Sequence, residues 1–527
     1  MAGIRSSSWR PPARVLGVVI VAVCLAFALK ALVLIDATTL WSDELYSVGK
    51  SFQPSYGELL AMLREDTHPP LYYSLLWLWG QGFGQDAIQL RLLSWLAYAG
   101  GGMVMVAQAW ALAPRTRQGQ AAAVVALLAF CSPYPVRFSL EGKGYALLVL
   151  LVACGWWWRR RCLPHGADSP AEGWPQVFPY ALFVAAAGLT HFYGLFVFAA
   201  AGVWDGWKRR WRLAFAALLG VLPASGWIVY ASRYLLSSRS GSWIGRPDFA
   251  LLEETLARAL GPWPLPKVAL VVVVVLLLRQ RGLQPPASGA SSLNPPGTLS
   301  PGLGDRTGLI PSAWMVVAVV VVSFLKPLAF SRYFVVLLPA LLPWIGVRGA
   351  PLCLKPLALR ALLVLAALTL ALWWHQAFLG LQGQGLGARE SDQFRAISQI
   401  TAGAQDRFSP RPRLMNLSDQ MELAAGRIPP DPSPWGDGDA LRQRLAQVPF
   451  EPQQLAPEHG PSELWLAASG PDPVTRRRLR SLQQQVDRRG YVCQQHQSQP
   501  IFSRLVHCRW PSTGSASPDA GALRSGD

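Results

Sequence analysis

The chain has 527 residues, about half of them hydrophobic (51%) and only 15% charged. That balance excludes an ordinary soluble enzyme and suits a membrane protein that crosses the bilayer many times and carries a water-exposed part. A formal net charge of +18 invites a nucleic-acid reading, yet the Lys and Arg stand in short clusters between apolar runs, as membrane topology requires, so no nucleic-acid partner is expected.

The first apolar run, 15–35, follows Arg5, Arg10 and Arg14. It exceeds the apolar core of a signal peptide and reads as a membrane anchor. Further runs lie at 88–113, 120–136, 145–158, 213–232, 267–278, 312–325, 334–347 and 361–379. The run 177–204 is longer than one crossing needs, and "THFYG" (190–194) interrupts it, which predicts two helices turning there. Basic clusters at Arg115/Arg117, Arg159–Arg161, Lys208–Arg210, Arg279/Arg281 and Arg348/Lys355/Arg360 mark the cytoplasmic side. Parity then makes the short run 69–84, which begins with Pro-Pro, a re-entrant or interfacial segment. The expected architecture is a polytopic α-helical membrane protein with about eleven crossings, its N-terminus inside and everything after about 380 outside.

Residues 282–311 are rich in Pro, Gly and Ser and read as a disordered cytoplasmic loop. The last part, 381–527, changes character. Strand-like runs at 463–468, 491–495 and 503–508 flank a helical face made by Leu479, Leu482 and Val486, which Gly490 ends. A small extracytoplasmic α/β domain with a disordered tail is expected. Its Cys493 and Cys508 are candidates for a disulfide, with two free thiols as the alternative.

Polar residues gather on the outer side of this scheme. Asp43 and Glu44 sit in "LWSDELYSV" (40–48), and Asp66 and His68 precede two prolines. Arg137, Glu141 and Lys143 fall in "SPYPVRFSLEGKGYAL" (132–147), His191 in "THFYG", and Lys326 and Arg332 in "FLKPLAFSRYF" (324–334). Basic residues in short outer loops run against the usual charge bias and need a reason. Cations facing an acidic pair suit a lipid-phosphate substrate: the cations hold the phosphate while a carboxylate takes a proton from an incoming nucleophile. Phosphate leaves as a stable anion, so one base suffices. Simpler roles stand beside these. The Asp-Glu pair could be solvated, His68 could cap the following segment, and His191 could be a buried structural residue.

In that order, "LWSDELYS", "DTHPPLYYSLLWLWGQGFG" with "QLRLLS", "SPYPVRFSLEGKGYAL", "THFYG" and "KPLAFSRYFVVLLP" resemble the family 39 glycosyltransferases of the GT-C superfamily. That group resembles protein O-mannosyltransferases, aminoarabinose transferases and lipopolysaccharide-core glycosyltransferases. The resemblance covers about residues 15–380. It implies a polyprenyl-phosphate sugar donor, transfer on the outer face of the inner membrane, and inversion at the anomeric carbon. It further implies that Asp43 is the base with Glu44 beside it, that Glu141 is a second acidic position, and that His68, Lys143 and Arg332 bind the donor phosphate, with Asp66 in the same turn. Lys143 stands where relatives usually carry Arg, and Leu140 replaces a Gln. A glycan, a lipid or a protein could be the acceptor. No cofactor is assigned, although Asp43, Glu44, Asp66, His68 and Glu141 offer ligand atoms for a divalent metal. A lipid-linked saccharide flippase is the alternative reading, and a receptor-like or assembly protein a third.

Overall fold

A computed structural model of the chain describes residues 13–35, 42–131, 138–163, 174–237, 244–260, 302–351, 413–416, 463–469, 480, 483–496 and 503–510. The chain divides into two compact units, one of Met1–Ile35, Lys50–Gly84 and Ile88–His375, the other of Asp36–Gly49, Gln85–Ala87 and Gln376–Asp527.

The first unit is helical. Its opening helix α1 (Ala13–Leu34) buries Leu16, Val23, Phe27 and Ala31 on one face, while Val18, Val21, Leu25 and Leu32 on the other are more than half exposed. A helix apolar all round whose outer face is bare belongs in lipid. It packs on α6 (Gln118–Cys131). Between them in sequence come α3 (Tyr56–Arg64), α4 (Leu71–Phe83) and α5 (Ala87–Leu112); α2 (Ser42–Ser51) falls in the other unit except for its last two residues, Lys50 and Ser51. Arg91 of α5 is buried and donates from Nη1 to the Ile35 carbonyl at 2.7 Å, satisfying one of the orphan acceptors where α1 ends.

The apolar core lies among α7 (Tyr145–Arg161), α8 (Trp174–Thr190), α9 (Phe192–Trp207), α10 (Trp211–Tyr230) and α12 (Leu309–Ser323). Trp156, Tyr180 and Phe198 fill its centre. An amphipathic α11 (Phe249–Leu260) precedes α12, and a 3-10 segment, Ser331–Leu337, leads into α13 (Leu338–Gly349), which packs on α6 and α7. Among the described residues, four segments are long and apolar enough to cross a membrane: Val15–Val33, Ala87–Leu112, Trp211–Tyr230 and Ser331–Gly349. Pro175–Thr190 and Leu309–Ser323 are apolar but shorter. The runs 267–278 and 361–379 lie outside the described residues.

One end of this core is closed by a buried ion network. Arg159 donates from Nε to Asp205 Oδ2 (2.8 Å), from Nη2 to Asp205 Oδ1 (2.7 Å) and Asp305 Oδ1 (2.9 Å), and from Nη1 to the Asp305 carbonyl (2.7 Å). Arg210 completes it, reaching Asp205 Oδ1 at 3.1 Å and Asp305 Oδ2 at 2.5 Å. Two cations thus face two carboxylates. This corrects one expectation from composition. Residues 302–311 are not disordered: a helical turn, Leu303–Arg306, and the start of α12 occupy them, because the network pins Asp305. Residues 282–301 lie outside the described set.

In the second unit, strands β1 (Arg413–Asn416), β2 (Glu463–Ser469), β3 (Val492–His496) and β4 (Ser503–Arg509) form one sheet in the order β1-β2-β4-β3. β1 and β2 are parallel and the other pairs antiparallel. Cys493 lies directly opposite Cys508 across β3 and β4, and a disulfide joins them. Residues 483–487 are helical, and Gly490 follows at φ +95° with its N–H on the Asp487 carbonyl. That left-handed conformation is available to glycine without steric cost.

Candidate functional site

At the end of the core opposite the Arg159 network, several of the singled-out residues converge. α3 ends at Arg64, and the Asp66 N–H bonds back to the Leu63 carbonyl. The chain then passes through Pro69-Pro70 into α4, with Pro70 already at helical backbone angles (φ −82°, ψ −23°), where prolines fit because the first helical N–H groups have no intrahelical acceptor. In that turn Asp66 Oδ2 meets Lys50 Nζ at 2.6 Å and His68 Nδ1 at 3.1 Å. Thr67 Oγ1 also lies 3.1 Å from Nδ1. A carboxylate only accepts, so Nδ1 of His68 carries the proton and Nε2 the lone pair. His68 does not cap α4, whose N-cap residue is Pro70.

Burial opposes charge on Asp66, but Lys50 and then His68 pull its carboxyl well below the usual carboxylate range. Burial, with the Lys50 charge, also lowers the His68 pKa against the pull of Asp66. Lys50 also sits over the Tyr73 ring, 5.3 Å from its centroid, and His68 meets that ring edge-on at 5.9 Å.

His191 is the single residue between α8 and α9 and takes an extended conformation (φ −159°, ψ 141°). Its Nδ1 accepts the Tyr193 N–H at 3.1 Å, capping α9. The neutral ring therefore carries its proton on Nε2. The structural role expected for His191 is thus present as a cap made by the ring itself. The same ring stands among site residues: 6.2 Å from His68, 5.9 Å from Tyr145 and 4.8 Å from Tyr333, between centroids.

Glu141 and Lys143 are buried in the turn before α7, where the Lys143 N–H bonds to the Glu141 carbonyl at 2.7 Å and Ser94 Oγ donates to the Lys143 carbonyl at 3.3 Å. The Lys143 charge acts on both His68 and His191. Arg332 is the second residue of the 3-10 segment, beside Tyr333, with its guanidinium over the Phe330 ring at 5.2 Å.

Not every expected residue joins this group. Lys326 donates from Nζ to the Leu235 carbonyl, which ties it to the turn after α10. Arg137 lies outside the described residues. Asp43 and Glu44 occupy the first turn of α2; Glu44 is buried, and the Asp43 side chain is outside the described set. Among the described residues, no group of three His, Cys, Asp or Glu side chains could hold a metal ion. Two participants escaped the sequence reading. Lys50 lies sixteen positions before Asp66 and carried no motif signal, whereas Tyr333 sat inside a quoted motif without being singled out.

No protein-family model and no curated protein sequence matches the chain. Its structure is similar to ArnT from Cupriavidus metallidurans in the apo state, with a TM-score of 0.53 and 14% identity over 94% of this chain and 98% of that one. It is also similar to the same protein bound to undecaprenyl phosphate, with a TM-score of 0.51 and 14% identity over 93% and 97%. The chain therefore shares the fold of that ArnT protein.

Proposed function

We propose that this chain transfers a sugar from a polyprenyl-phosphate donor to an acceptor hydroxyl, with inversion, at the outer face of a cell membrane. What supports this reading is the convergence of Lys143, His191, His68 with its Asp66–Lys50 pair, and the Arg332-Tyr333 segment at one end of a GT-C helical core. A related fold was solved with undecaprenyl phosphate bound.

In this reading Lys143 and Arg332 hold the donor phosphate, and His191 contributes its Nε2 proton as a hydrogen-bond donor. His68 joins them as a cation, because an arriving phosphate favours protonation of an imidazole beside it. Asp66 stabilises that charge. Asp43 enters on its motif alone and takes the proton from the acceptor hydroxyl, with Glu44 and Glu141 as its acidic companions. The oxygen then attacks the anomeric carbon as the C–O bond to phosphate breaks, and the cations stabilise the charge that collects on the leaving phosphate. We also propose about eleven crossings with the N-terminus cytoplasmic, and residues 381–527 as a separate extracytoplasmic domain. The basic clusters and the shift in composition support both.

The test is transfer of radiolabelled sugar from a polyprenyl-phosphate donor by the purified chain in proteoliposomes. Product should form with wild type and not with Asp43→Asn. Movement of the lipid-linked sugar across the bilayer without any transfer would instead establish the flippase reading.

A further inference from the structure

The other end of the core carries an unexplained charge. The last turns of α7 read Trp156-Trp157-Trp158-Arg159-Arg160-Arg161. Arg159 is committed to Asp205 and Asp305, and Arg210 to the same two carboxylates. Arg160, Arg161 and Arg306 have no carboxylate partner among the described residues. Arg306 follows Asp305, which Arg159 holds, so all three stand at this end of the core, where burial first and then the charges of Arg161 and Arg306 weigh against the charge on Arg160. The Arg160 Nε is buried with no hydrogen-bond partner. A buried guanidinium nitrogen lacking an acceptor, beside two like charges, marks a place built for an anion.

Its surroundings are aromatic. The Arg160 guanidinium lies 4.8 Å from the Trp157 ring centroid, and Arg161 lies 5.4 Å from the same ring and 5.2 Å from Trp158. At the same end, Trp207 and Trp211 are 69% and 68% exposed, and Lys208 stands over Trp204 and Trp207. Exposed Trp beside Arg and Lys is the composition of a membrane–water boundary, where rings sit at headgroup depth.

We propose that Arg160, Arg161 and Arg306 seat the headgroup phosphate of an anionic phospholipid in the leaflet on this side, with the Trp157 ring against the two α7 guanidiniums. The charge complementarity commits the site to an anion. The exposed tryptophans commit it to the bilayer rather than to bulk solution. This seat is separate from the proposed catalytic end: Tyr145 and Arg160 stand at opposite ends of α7, about 22 Å apart by helical rise.

The full chain would be reconstituted in bilayers mixed equally from phosphatidylcholine and phosphatidylglycerol, extracted in mild detergent, and its retained lipid counted by native mass spectrometry. Phosphatidylglycerol should be enriched on the wild type. The double variant Arg160→Gln, Arg306→Gln should retain at least about fivefold less, the effect of losing one or more basic contacts to an anionic lipid. Arg160→Lys with Arg306→Lys keeps both charges and should hold most of the enrichment, which separates a lost site from a lost fold. Equal retention by wild type and the Gln variant would overturn the proposal. So would complete displacement of the lipid by inorganic phosphate, which would make the seat one for a free anion.

Discussion

Arg159 in α7 grips Asp205 in α9 through two parallel hydrogen bonds, Nε to Oδ2 at 2.8 Å and Nη2 to Oδ1 at 2.7 Å, with both side chains fully buried. Arg159→Met should therefore destabilise the protein by about 3–5 kcal/mol, because it leaves two carboxylates sharing the single cation of Arg210 rather than merely deleting a contact. Adding Asp205→Leu should recover part of the loss, since the pair is then replaced by apolar packing. Thermal unfolding in detergent would measure both, and additive losses would show that the two residues are not coupled.

The proposed chemistry separates two residues. Asp43→Asn keeps size and shape but removes the base, so transfer should slow by at least about 100-fold while donor binding persists. Arg332→Ala should weaken donor affinity as well as rate, because it removes a charge-assisted contact to phosphate. Near-normal transfer by Asp43→Asn would end the mechanism given above.

Acid should loosen the Lys50–Asp66–His68 group. Both titrating members have folded pKa values below their ordinary ones of 3.8 and 6.5, so each binds fewer protons folded than unfolded. Their contribution is complete above pH 6.5 and declines as pH falls, first through His68 and then through Asp66. His68→Gln should flatten the upper part of a stability-against-pH curve and leave the lower part intact. An unchanged curve would show that the imidazole is not held neutral.

Gly308 holds φ at +82°, and a Cβ there would stand 2.3 Å from the Trp156 ring. Gly308→Ala should cost about 1–2 kcal/mol in backbone strain and about 1–3 kcal/mol in overpacking. A second change, Trp156→Leu, relieves the overpacking but opens a cavity of its own, so the two losses in melting temperature should be less than additive.

Breaking the Cys493–Cys508 bridge, which spans 15 positions, should lower the stability of the sheet by about 3 kcal/mol in the chain-entropy model. Sugar transfer should survive replacement of both cysteines. Alkylation before and after reduction, read by peptide mass, would count the two thiols released.

Much of the helical plan was legible because apolar runs bounded by Arg clusters announce themselves. The interruption at His191 was visible for the same reason: a polar residue inside 28 apolar positions has to be a break or a site, and here it is a helix boundary among site residues. Residues 302–311 were misread because they continue a stretch, 282–301, that is rich in Pro, Gly and Ser, whereas their order comes from Asp305 meeting an arginine 146 positions earlier. Asp205 offered a clue that went unused, since a lone acid at the end of an apolar helix nearly always has a partner. Lys50 offered none. Its partner lies beyond α3, in the turn before α4, and no spacing rule links the two positions.

α7 and α9 are fastened at both ends. Tyr145 and Tyr193 stand against the His191 ring, while Arg159 and Asp205 are joined to each other. Between those points neither helix has any slack. One residue added to or taken from either would turn its far end by about 100° and shift it by about 1.5 Å, so a fastening would have to let go. The two helices therefore act as matched gauge rods, in which length is dictated and composition is not. Conservative apolar exchanges at the half-buried Leu150 and Leu151 should pass with little effect on the ends, while a single insertion within 146–158 should abolish the spacing between the imidazoles and the buried arginine.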